Sequence, residues 1–554
     1  MTDNSVANSK SDEMDNEAAL DIDGMLAHVG DFSRYQLMLM FLFSIINILS
    51  AFHYFGQTFT SLVPLHKCNA TGVANSSIAD PCSIRIFDNS SYVDVPCTTG
   101  WIYDDSNTNG YISIVQELNW VCGESWKSAL GQSVFFVGSV VGGIVLGILA
   151  DNIGRLHTLV LANMFALLGN AVTILSNNVV LFAVSRFFAG CATDTNFVMM
   201  YIIVMEYIRP SMRTLGLNIC IGLFYTLSCV AIPWVVALVG TWRIFLLIVS
   251  IPHLLVLLFY VLVPESAQWL ISKGRIDEAV ECFRRIAKIN RRTVSPKTVD
   301  ALKRYCEEHI PKKTEKHENL IGLVKTPNLR RKTLILVYKS MVMTLCYDAI
   351  SKNVNGVGLS PFVIFSVTSA TILPACLFIL GVQDRVGRKV LASGSLLLSG
   401  IFSGCSGLLR IFVQNPQPEL ILVLAIIARL GINVAYNSGH QYAIELLPTV
   451  VRGQGVAAVH VAGYGATFFS TQILYLGVFW KPTPELILGI VMISGAIACL
   501  YLPETLNRKL PVTLQDGEAF GEDEGPFEFT ICGSRNTEST IALNRGSDGQ
   551  RTYS

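Results

Sequence analysis

The sequence predicts an all-α membrane protein with twelve transmembrane helices in two pseudo-symmetric six-helix bundles. The composition is the first of three observations that predict it. The 554 residues are 51% hydrophobic and 15% charged, with a mean hydropathy of +0.48 and a net charge of zero. A soluble chain of this length needs more polar surface to cover its core, so the composition indicates a bilayer. The neutral balance gives no reason to expect a nucleic-acid partner.

The long apolar segments are the second observation. A hydrocarbon core about 30 Å thick requires roughly 20 apolar residues per helix. Backbone groups in lipid must be satisfied within the segment, which favours helices over strands. The twelve predicted spans are residues 35–55, 128–150, 157–175, 179–205, 214–238, 242–263, 333–351, 361–381, 390–411, 419–444, 453–478 and 484–502.

An internal repeat is the third observation. Charged residues at the ends of apolar segments recur in the same order, at offsets of 233, 239, 239 and 239 residues. A parallel repeat of this kind indicates two homologous membrane bundles and is typical of transporters. The repeated groups are Asp151 with Gly154-Arg155 and Asp384 with Gly387-Arg388, Glu206 and Glu445, Arg213 and Arg452, and Pro264-Glu265-Ser266 and Pro503-Glu504-Thr505.

The charge distribution predicts the topology. Residues 264–332 hold 17 Lys or Arg against 9 Asp or Glu, which places them in the cytoplasm, whereas residues 56–125 hold two basic and seven acidic residues and should face outward. An even number of helices then puts both termini inside, and the acidic start is neither a signal nor a transit peptide. The predicted divisions are an N-terminal segment (1–33), a first bundle (34–263) that includes the outward loop 56–127, a helical cytoplasmic linker (264–332), a second bundle (333–502) and a largely disordered cytoplasmic tail (503–554).

The outward loop carries signs of an extracellular cap. Three glycosylation sequons lie within 23 residues, beside four cysteines whose three possible pairings remain open. We interpret the other ten cysteines as reduced residues that contribute to packing, and their spacing does not match that of metal ligands. The sequon asparagines are Asn69, Asn75 and Asn89, and the loop cysteines are Cys68, Cys82, Cys97 and Cys122.

The connecting segments resemble the major facilitator superfamily, and more narrowly solute carrier family 22, closest to its organic cation/carnitine-like branch. The resemblance rests on GILADNIGRL after helix 2, GVQDRVGRKV after helix 8, PESAQWL after helix 6 and ELLPTVVR after helix 10, and it spans roughly residues 25–510. It implies a plasma-membrane transporter of small organic ions, embedded in lipid as a monomeric transport unit. Transport is expected to proceed by alternating access.

The repeated charges are candidate gate residues. Charge-assisted contacts from them to the opposite half would hold the cytoplasmic gate shut in an outward-open state. The alternative is that they only cap helices and set topology. The first copy departs from the family pattern at Asn152 and Leu156. The candidates are Asp151, Arg155, Glu206, Arg213, Asp384, Arg388, Glu445 and Arg452.

The substrate site is expected near mid-membrane between the bundles. Aromatic walls with a few ionisable groups suit organic ions through stacking and cation–π contacts, although many of these aromatics fit ordinary packing as well. Lys339 and Asp348 fall on opposite helix faces, so Lys339 is expected to reach Asp194 or a substrate carboxylate. The candidates are Asp194, Phe197, Tyr201, Lys339, Tyr347, Asp348, Tyr436, Asn437 and Tyr464.

Other ionisable residues within spans leave alternatives open. Arg186 and Arg429 fit either a functional role or bonding to carbonyls within the bundle. His440 and His460 fit either proton coupling or hydrogen-bonded packing.

The sequence predicts facilitated diffusion or exchange of small organic cations or zwitterions. The glycine patterns lie inside apolar helices, where Gly138 and Gly142 suit close packing, so no nucleotide or other cofactor is expected. The sequence shows no nucleophile paired with a base and no cluster of metal ligands, so an enzyme is not expected. One alternative is an organic-anion exchanger that uses Lys339 and the histidines. The other is a transport-inactive receptor or scaffold that recognises a ligand through the glycosylated loop.

Overall fold

The protein is described by a computed structural model. It describes residues 22–30, 33–69, 76–88, 91–104, 106, 108–208, 220–309, 322–353, 359–413, 416–506, 508, 510–511, 513–522, 524–525 and 527–528.

The first bundle is built from a short entry helix and six membrane segments. Its helices are α1 (Ile22–Val29), α2 (Arg34–Thr60), α3 (Ile114–Glu117), α4 (Trp126–Ile153), α5 (Arg155–Ile174), α6 (Val179–Cys191), α7 (Thr193–Tyr207), α8 (Thr226–Val239), α9 (Trp242–Ser250) and α10 (Phe259–Leu262). A π-helical turn, Cys220–Tyr225, leads into α8, and a 3₁₀ segment, Ile251–Leu258, joins α9 to α10.

The linker and the second bundle follow. The linker helices are α11 (Ala267–Ser272), α12 (Ile276–Ile289), α13 (Pro296–His309) and α14 (Gly322–Lys325). The second bundle contains α15 (Pro327–Lys352), α16 (Pro361–Ala370), α17 (Ile372–Val386), α18 (Arg388–Phe412), α19 (Pro418–Leu446), α20 (Arg452–Leu476) and α21 (Thr483–Leu500), and α22 (Leu514–Ala519) lies in the tail.

Within the described residues, eleven helical segments are long and apolar enough to cross a membrane. The 25-residue helix α20 supplies a twelfth, packed against α4 and α15 although it is more polar. The predicted all-α membrane fold is therefore confirmed. The eighth predicted span is divided between α16 and α17, because the ring of Pro374 clashes with the carbonyl four residues earlier.

Close helix contacts within the first bundle depend on small residues. A Cβ atom at Gly138 would collide with the carbonyl group of Phe187, and one at Gly142 would collide with the backbone of Cys191. These contacts join α4 to α6. The packing role predicted for both glycines agrees with this geometry.

The residues between α2 and α4 form a small β cap, and we call this side of the bundle the loop face. The strands are β1 (Leu65–Cys68), β2 (Ser76–Asp80), β3 (Ser83–Asp88), β4 (Ser91–Pro96) and β5 (Trp101–Asp104). β1 pairs with β5, and β2, β3 and β4 form a separate sheet, all antiparallel.

Two disulfides resolve the pairing that the sequence left open: Cys68 bonds to Cys97 and Cys82 bonds to Cys122. The second bridge ties the three-stranded sheet to the entry of α4. Of the three sequon asparagines, Asn69 lies among the described residues, whereas Asn75 and Asn89 lie outside them.

The linker helices cover the opposite side, which we call the linker face. The predicted amphipathic helix is α12, whose buried side includes Val280, Phe283 and Ile286. At its end, Asn290 accepts a hydrogen bond from the amide of Tyr35 at 2.8 Å, which fixes the linker to α2.

The prediction of a disordered tail is wrong for the residues around α22. Glu518 accepts hydrogen bonds from the amides of Asn328 and Leu329 at the start of α15, at 2.9 and 2.7 Å. Lys332 donates to the carbonyl group of Gly517 at 2.9 Å. These contacts order a segment whose polar composition alone favours disorder, because its side chains cap another helix.

Candidate functional site

The two bundles meet at the loop face. Phe59 on α2 packs against Phe362 and Phe365 on α16, with ring centroids 5.8 and 5.1 Å apart. Ser133 on α4 donates to the carbonyl group of Phe468 on α20 at 3.1 Å, and Ser366 donates to the carbonyl group of Val230 at 3.1 Å. This conformation is therefore closed toward the loop face.

A buried ion pair lies directly beneath this seal. The ammonium group of Lys352 is 3.0 Å from the Asp348 carboxylate, one helical turn earlier on α15, and the two side chains are 2% and 0% exposed. Tyr54 of the first bundle donates to the same carboxylate at 2.6 Å, and Ser470 donates to its second oxygen. Lys352 also lies 4.3 Å from the ring centroid of Phe136. The pair thus joins both bundles while the loop face is shut.

The sequence predicted that Lys339 reaches Asp194 or a substrate carboxylate, but its described contacts are with other groups. Lys339 donates to the carbonyl group of Gly439 at 2.9 Å and lies 4.8 Å from the ring centroid of Tyr442. Its charge is therefore held inside the second bundle by a backbone dipole and an aromatic face.

A group of tyrosines surrounds the space between the bundles. Tyr347 and Tyr436 stack with ring centroids 4.6 Å apart. Tyr225 of the first bundle lies within hydrogen-bonding reach of Tyr347, and Tyr464 lies within reach of Tyr436. Four hydroxyl-bearing rings from both bundles thus converge on one region, where a flat or quaternary cation finds π faces.

Asp194 supplies the carboxylate of this region. It lies in the first turn of α7 and is partly exposed, and its described partners are the Tyr464 hydroxyl and the His460 ring. Both partners belong to α20 of the opposite bundle. Unlike Asp348, Asp194 therefore faces neutral or titratable groups rather than a lysine.

The remaining predicted site residues are Phe197, Tyr201 and Asn437. Phe197 and Tyr201 stack on one side of α7 with centroids 6.0 Å apart and contact Phe43 of α2. Asn437 is exposed and donates to the carbonyl group of Asn433 at 3.0 Å. Phe197 and Tyr201 thus extend the aromatic wall toward the linker face.

The two arginines within spans brace the bundles. Arg186 donates to Asn170 at 3.3 Å and lies over the ring of Phe135. Arg429 donates to the carbonyl group of Tyr347 at 2.8 Å and also lies over its ring. Both geometries match the bundling alternative.

At the linker face, the first copy of the charge repeat forms contacts within its own bundle. Arg155 is 2.6 Å from Asp151, one turn away. Glu265 accepts hydrogen bonds from the amides of Arg155 and Leu156 at 2.9 and 3.1 Å. Glu206 accepts one from Ser266. Glu265 thereby caps the N-terminus of α5.

The second copy repeats this geometry. Glu504 accepts hydrogen bonds from the amides of Arg388 and Lys389 at 2.9 and 3.1 Å, and Glu445 accepts one from Thr505. Arg388 is 3.2 Å from Glu445. The Arg213 residue and the Asp384 side chain lie outside what the structure describes.

A glycine with positive φ precedes each capped helix. Gly154 and Gly387 have φ of 111° and 91°, and a Cβ atom at either would collide with the capping carboxylate of Glu265 or Glu504. The glycines of the repeat therefore allow the carboxylates of the repeat to approach the helix ends. Arg452 also remains within its bundle and donates to the carbonyl group of Leu447 at 3.1 Å.

Several functional candidates are absent from the sequence prediction. Lys352 carried a signal, because Asp and Lys four residues apart on a helix form pairs. Glu265 and Glu504 were found as repeated residues but were given no gate role. Tyr54 and Tyr225 carried no local signal, since their contacts are with the other bundle.

Comparison with known proteins agrees with this architecture. The sugar (and other) transporter family model matches residues 73–512. The organic cation transporter protein of Drosophila melanogaster is 28% identical over 560 residues, covering 95% of this chain and 100% of that protein. Human solute carrier family 22 member 13 is 29% identical over 541 residues, covering 89% and 92%. These relatives confirm the resemblance drawn from the connecting motifs.

Solved structures show the same fold. The inward-open xylose transporter XylE of E. coli matches with a TM-score of 0.59 and 16% identity, covering 87% of this chain and 99% of that one. A structure of the peptide transporter POT matches with a TM-score of 0.53 and 14% identity, covering 83% and 93%.

Proposed function

The chain belongs to the sugar (and other) transporter family, and on that premise we propose that it carries small organic cations or zwitterions across the plasma membrane by alternating access. The observation that supports this most is the placement of Asp194. Asp194 is a half-buried residue beside the tyrosine-lined space between the bundles, and its described partners, Tyr464 and His460, belong to the opposite bundle. Relatives named organic cation transporters fit the same substrate class.

The charged side chains between the bundles favour a positively charged substrate. Lys352 neutralises Asp348, so this carboxylate is already occupied in the loop-closed state. Asp194 remains available to receive an ammonium group, and the stacked Tyr347 and Tyr436 offer π faces to its alkyl or aromatic part. Asp194 is thus the proposed cation receptor.

The substrate region has further proposed members from the sequence analysis. Phe197 and Tyr201 extend the wall on the side of the first bundle, and Asn437 offers an exposed amide. A zwitterion would need a second, positive or amide contact, and we assign this contact to Asn437 because it is the amide of the predicted set.

An organic-anion exchanger built on Lys339 is not favoured. The Lys339 ammonium group donates to a backbone carbonyl and lies over the Tyr442 ring within the second bundle. An incoming carboxylate would have to displace both contacts.

The orientation follows from the basic linker, which we assign to the cytoplasm. The loop face is then extracellular, both termini are cytoplasmic, and the conformation described above is inward-facing. Opening of the loop face must separate Tyr54 from Asp348 and Ser133 from α20, and we assign closure of the linker face to the repeated charges.

Uptake measurements test the proposal. Cells expressing the protein are given labelled tetraethylammonium, N-methylpyridinium, betaine and benzoate, at normal and at depolarised membrane potential. We expect cation uptake, and we expect Asp194→Asn to reduce it more than tenfold at equal surface expression. Asp194→Glu, which keeps the charge, should retain part of it.

The matched control is Asp300→Asn, which removes an exposed carboxylate in the linker. Its uptake should equal that of the parent. Unchanged cation uptake in Asp194→Asn would remove Asp194 from the substrate site, and uptake of benzoate alone would overturn the substrate class.

A further inference from the structure

An imidazole ring faces one sulfur of the Cys82–Cys122 disulfide in the β cap. Nε2 of His66 on β1 is 3.5 Å from Sγ of Cys122 and lies within 4.8 Å of Sγ of Cys82. The ring is held in place by Trp101, which packs edge-on against it with centroids 5.7 Å apart. All three members of the cluster are half-buried, so small solutes can reach the bridge.

A backbone contact fixes which ring nitrogen of His66 carries the proton. Nδ1 lies 3.0 Å from the carbonyl oxygen of Pro64, which can only accept, so Nδ1 holds the proton in the neutral ring. Nε2 then presents its lone pair to the Cys122 sulfur. A disulfide sulfur has no proton to donate, so this nitrogen gains a hydrogen bond only when the bridge opens. The contact therefore favours the opened bridge over the closed one.

The backbone of Cys122 acts in the same direction. Cys122 has a φ of 53°, in the left-handed region that residues with a Cβ atom adopt at a cost. It begins the 3₁₀ turn Cys122–Glu124, which leads into α4. Opening of the bridge releases this residue from one of the bonds that hold it in that conformation.

The second bridge of the cap, Cys68–Cys97, lacks both features. Its described neighbours are the Thr99 hydroxyl group, 3.7 and 3.9 Å from the two sulfurs, and the Gly100 carbonyl oxygen, 3.2 Å from Cys97. Cys68 is fully buried. A thiolate that left on Cys68 would be enclosed beside neutral groups, which is unfavourable.

We propose that the Cys82–Cys122 bridge is a thiol–disulfide exchange site for small thiols of the glutathione class, in which His66 protonates the departing Cys122 sulfur. This goes beyond the proposed function and does not depend on the transported substrate. The site lies on the side of the protein that we assign to the outside of the cell.

The exchange is a substitution at the Cys82 sulfur. The thiolate of the small thiol bonds to Sγ of Cys82, the Cys82–Cys122 bond breaks, and its electron pair leaves on Sγ of Cys122. The proton lost by the thiol passes through water to Nε2 of His66, which donates it to that sulfur. The products are a mixed disulfide at Cys82 and a thiol at Cys122. A second small thiol then displaces the first, which leaves as its own disulfide while Cys82 becomes a thiol.

Opening of this bridge changes how α4 is tethered. The bridge joins the three-stranded sheet to the entry of α4, and this helix carries Ser133 and Phe136, which contact the second bundle. Reaction with a thiol thus detaches the sheet from a helix that takes part in the loop-face seal.

The experiment compares the two bridges within the same molecules. The purified full-length protein in detergent is first treated with N-ethylmaleimide, which blocks its free thiols. Glutathione is then added, samples are quenched with iodoacetamide at successive times, and peptide mass spectrometry follows each cysteine separately. The Cys68–Cys97 bridge serves as the matched control.

We expect the Cys82–Cys122 bridge to open at least about tenfold faster than the control bridge, because a positioned proton donor commonly contributes at least this factor. The first adduct should carry glutathione on Cys82 and a free thiol on Cys122. This regiochemistry follows from the position of the imidazole, since the sulfur beside the proton donor is the better leaving group.

Variants of His66 separate proton donation from packing. His66→Phe keeps an aromatic ring beside Trp101 but has no nitrogen, so it should slow the first bridge to about the rate of the control bridge and leave the control unchanged. Imidazole added to the solution should restore part of the rate in His66→Ala, because it can donate the same proton. Loss of a merely structural contact would not be restored in this way.

Three results would overturn the proposal. Equal opening rates for the two bridges in the wild-type protein would remove the exchange site. Glutathione on Cys122 instead of Cys82 would remove His66 as the proton donor, as would an unchanged rate in His66→Phe together with no effect of imidazole on His66→Ala. The rate comparison and the position of the adduct need only the wild-type protein, so they decide the proposal even where a variant does not fold.

Discussion

Replacement of Asp348 by Asn tests whether the buried ion pair stabilises the loop-closed state. The variant keeps the size of the side chain but leaves the Lys352 ammonium without its counter-charge, at a site where Lys352 is 2% exposed. Removing one partner of a buried pair costs about 3–5 kcal/mol. The cost applies to the loop-closed state, because Tyr54 and Phe136, which enclose the pair, belong to the other bundle.

The expected shift in the conformational equilibrium is large. At about 1.4 kcal/mol per factor of ten, a penalty of about 3 kcal/mol favours the loop-open state by roughly a hundredfold. A cysteine introduced at Phe362, which is fully buried in the loop-face seal, reports this state through reaction with a membrane-impermeant maleimide. Labelling of Phe362→Cys should rise strongly in the Asp348→Asn background, and transport should slow because one half of the cycle is disfavoured.

The compensating variant distinguishes a gate from a general defect. Asp348→Asn combined with Lys352→Met removes both charges and leaves no unpaired ammonium group. Its labelling should return toward that of the parent. Equal labelling in the parent and in Asp348→Asn would refute the argument, as would a double variant that labels as fully as the single one.

Two further predictions concern the linker face. Glu504→Gln weakens charge-assisted hydrogen bonds to the amides of Arg388 and Lys389, so we expect a loss of about 2 kcal/mol and a lower Tm in detergent. Glu281→Gln, in the middle of a linker helix and exposed, should leave the Tm unchanged. Equal Tm values for both variants would contradict the capping role. For the tail, burial opposes ionisation, but hydrogen bonds from Thr326, Asn328 and Leu329 hold the pKa of Glu518 below its usual value. A lowered pKa stabilises the docked tail at neutral pH and loses that stabilisation as the pH falls through it, so limited proteolysis should show release in acid, and Glu518→Gln should abolish that pH dependence.

The sequence was sufficient for the fold because hydropathy and the repeat are local signals. Lipid forces each apolar segment into a helix, and the spacing of the charged residues identifies the two bundles without any contact information. The pairing of the four loop cysteines was not predictable, since the count of cysteines leaves three equivalent choices. The docked tail was missed because the capping of α15 by Glu518 is a long-range contact.

The site was predicted less completely because its contacts cross between the bundles. The predicted seventh span ended at residue 351, one residue before Lys352, because a lysine resembles the polar end of a membrane helix. Lys352 was therefore left out of the predicted site, and Asp348 was given no partner within its own helix. Tyr54 and Tyr225 are two of many tyrosines in apolar segments, and only the arrangement of the bundles brings them to Asp348 and Tyr347.

The two carboxylates of the cavity illustrate how one chemical group takes two roles from its surroundings. Asp348 has a lysine one turn away and two hydroxyl donors, so its charge is satisfied inside the protein and its contribution depends on whether the bundles touch. Asp194 has a phenol and an imidazole from the opposite bundle, and in the proposed function its counter-charge is the bound cation. The first arrangement favours one conformation, and the second makes the change of conformation depend on what is bound. A transporter needs both, because a gate without a charged receptor would move empty, and a receptor without a gate would bind without transport.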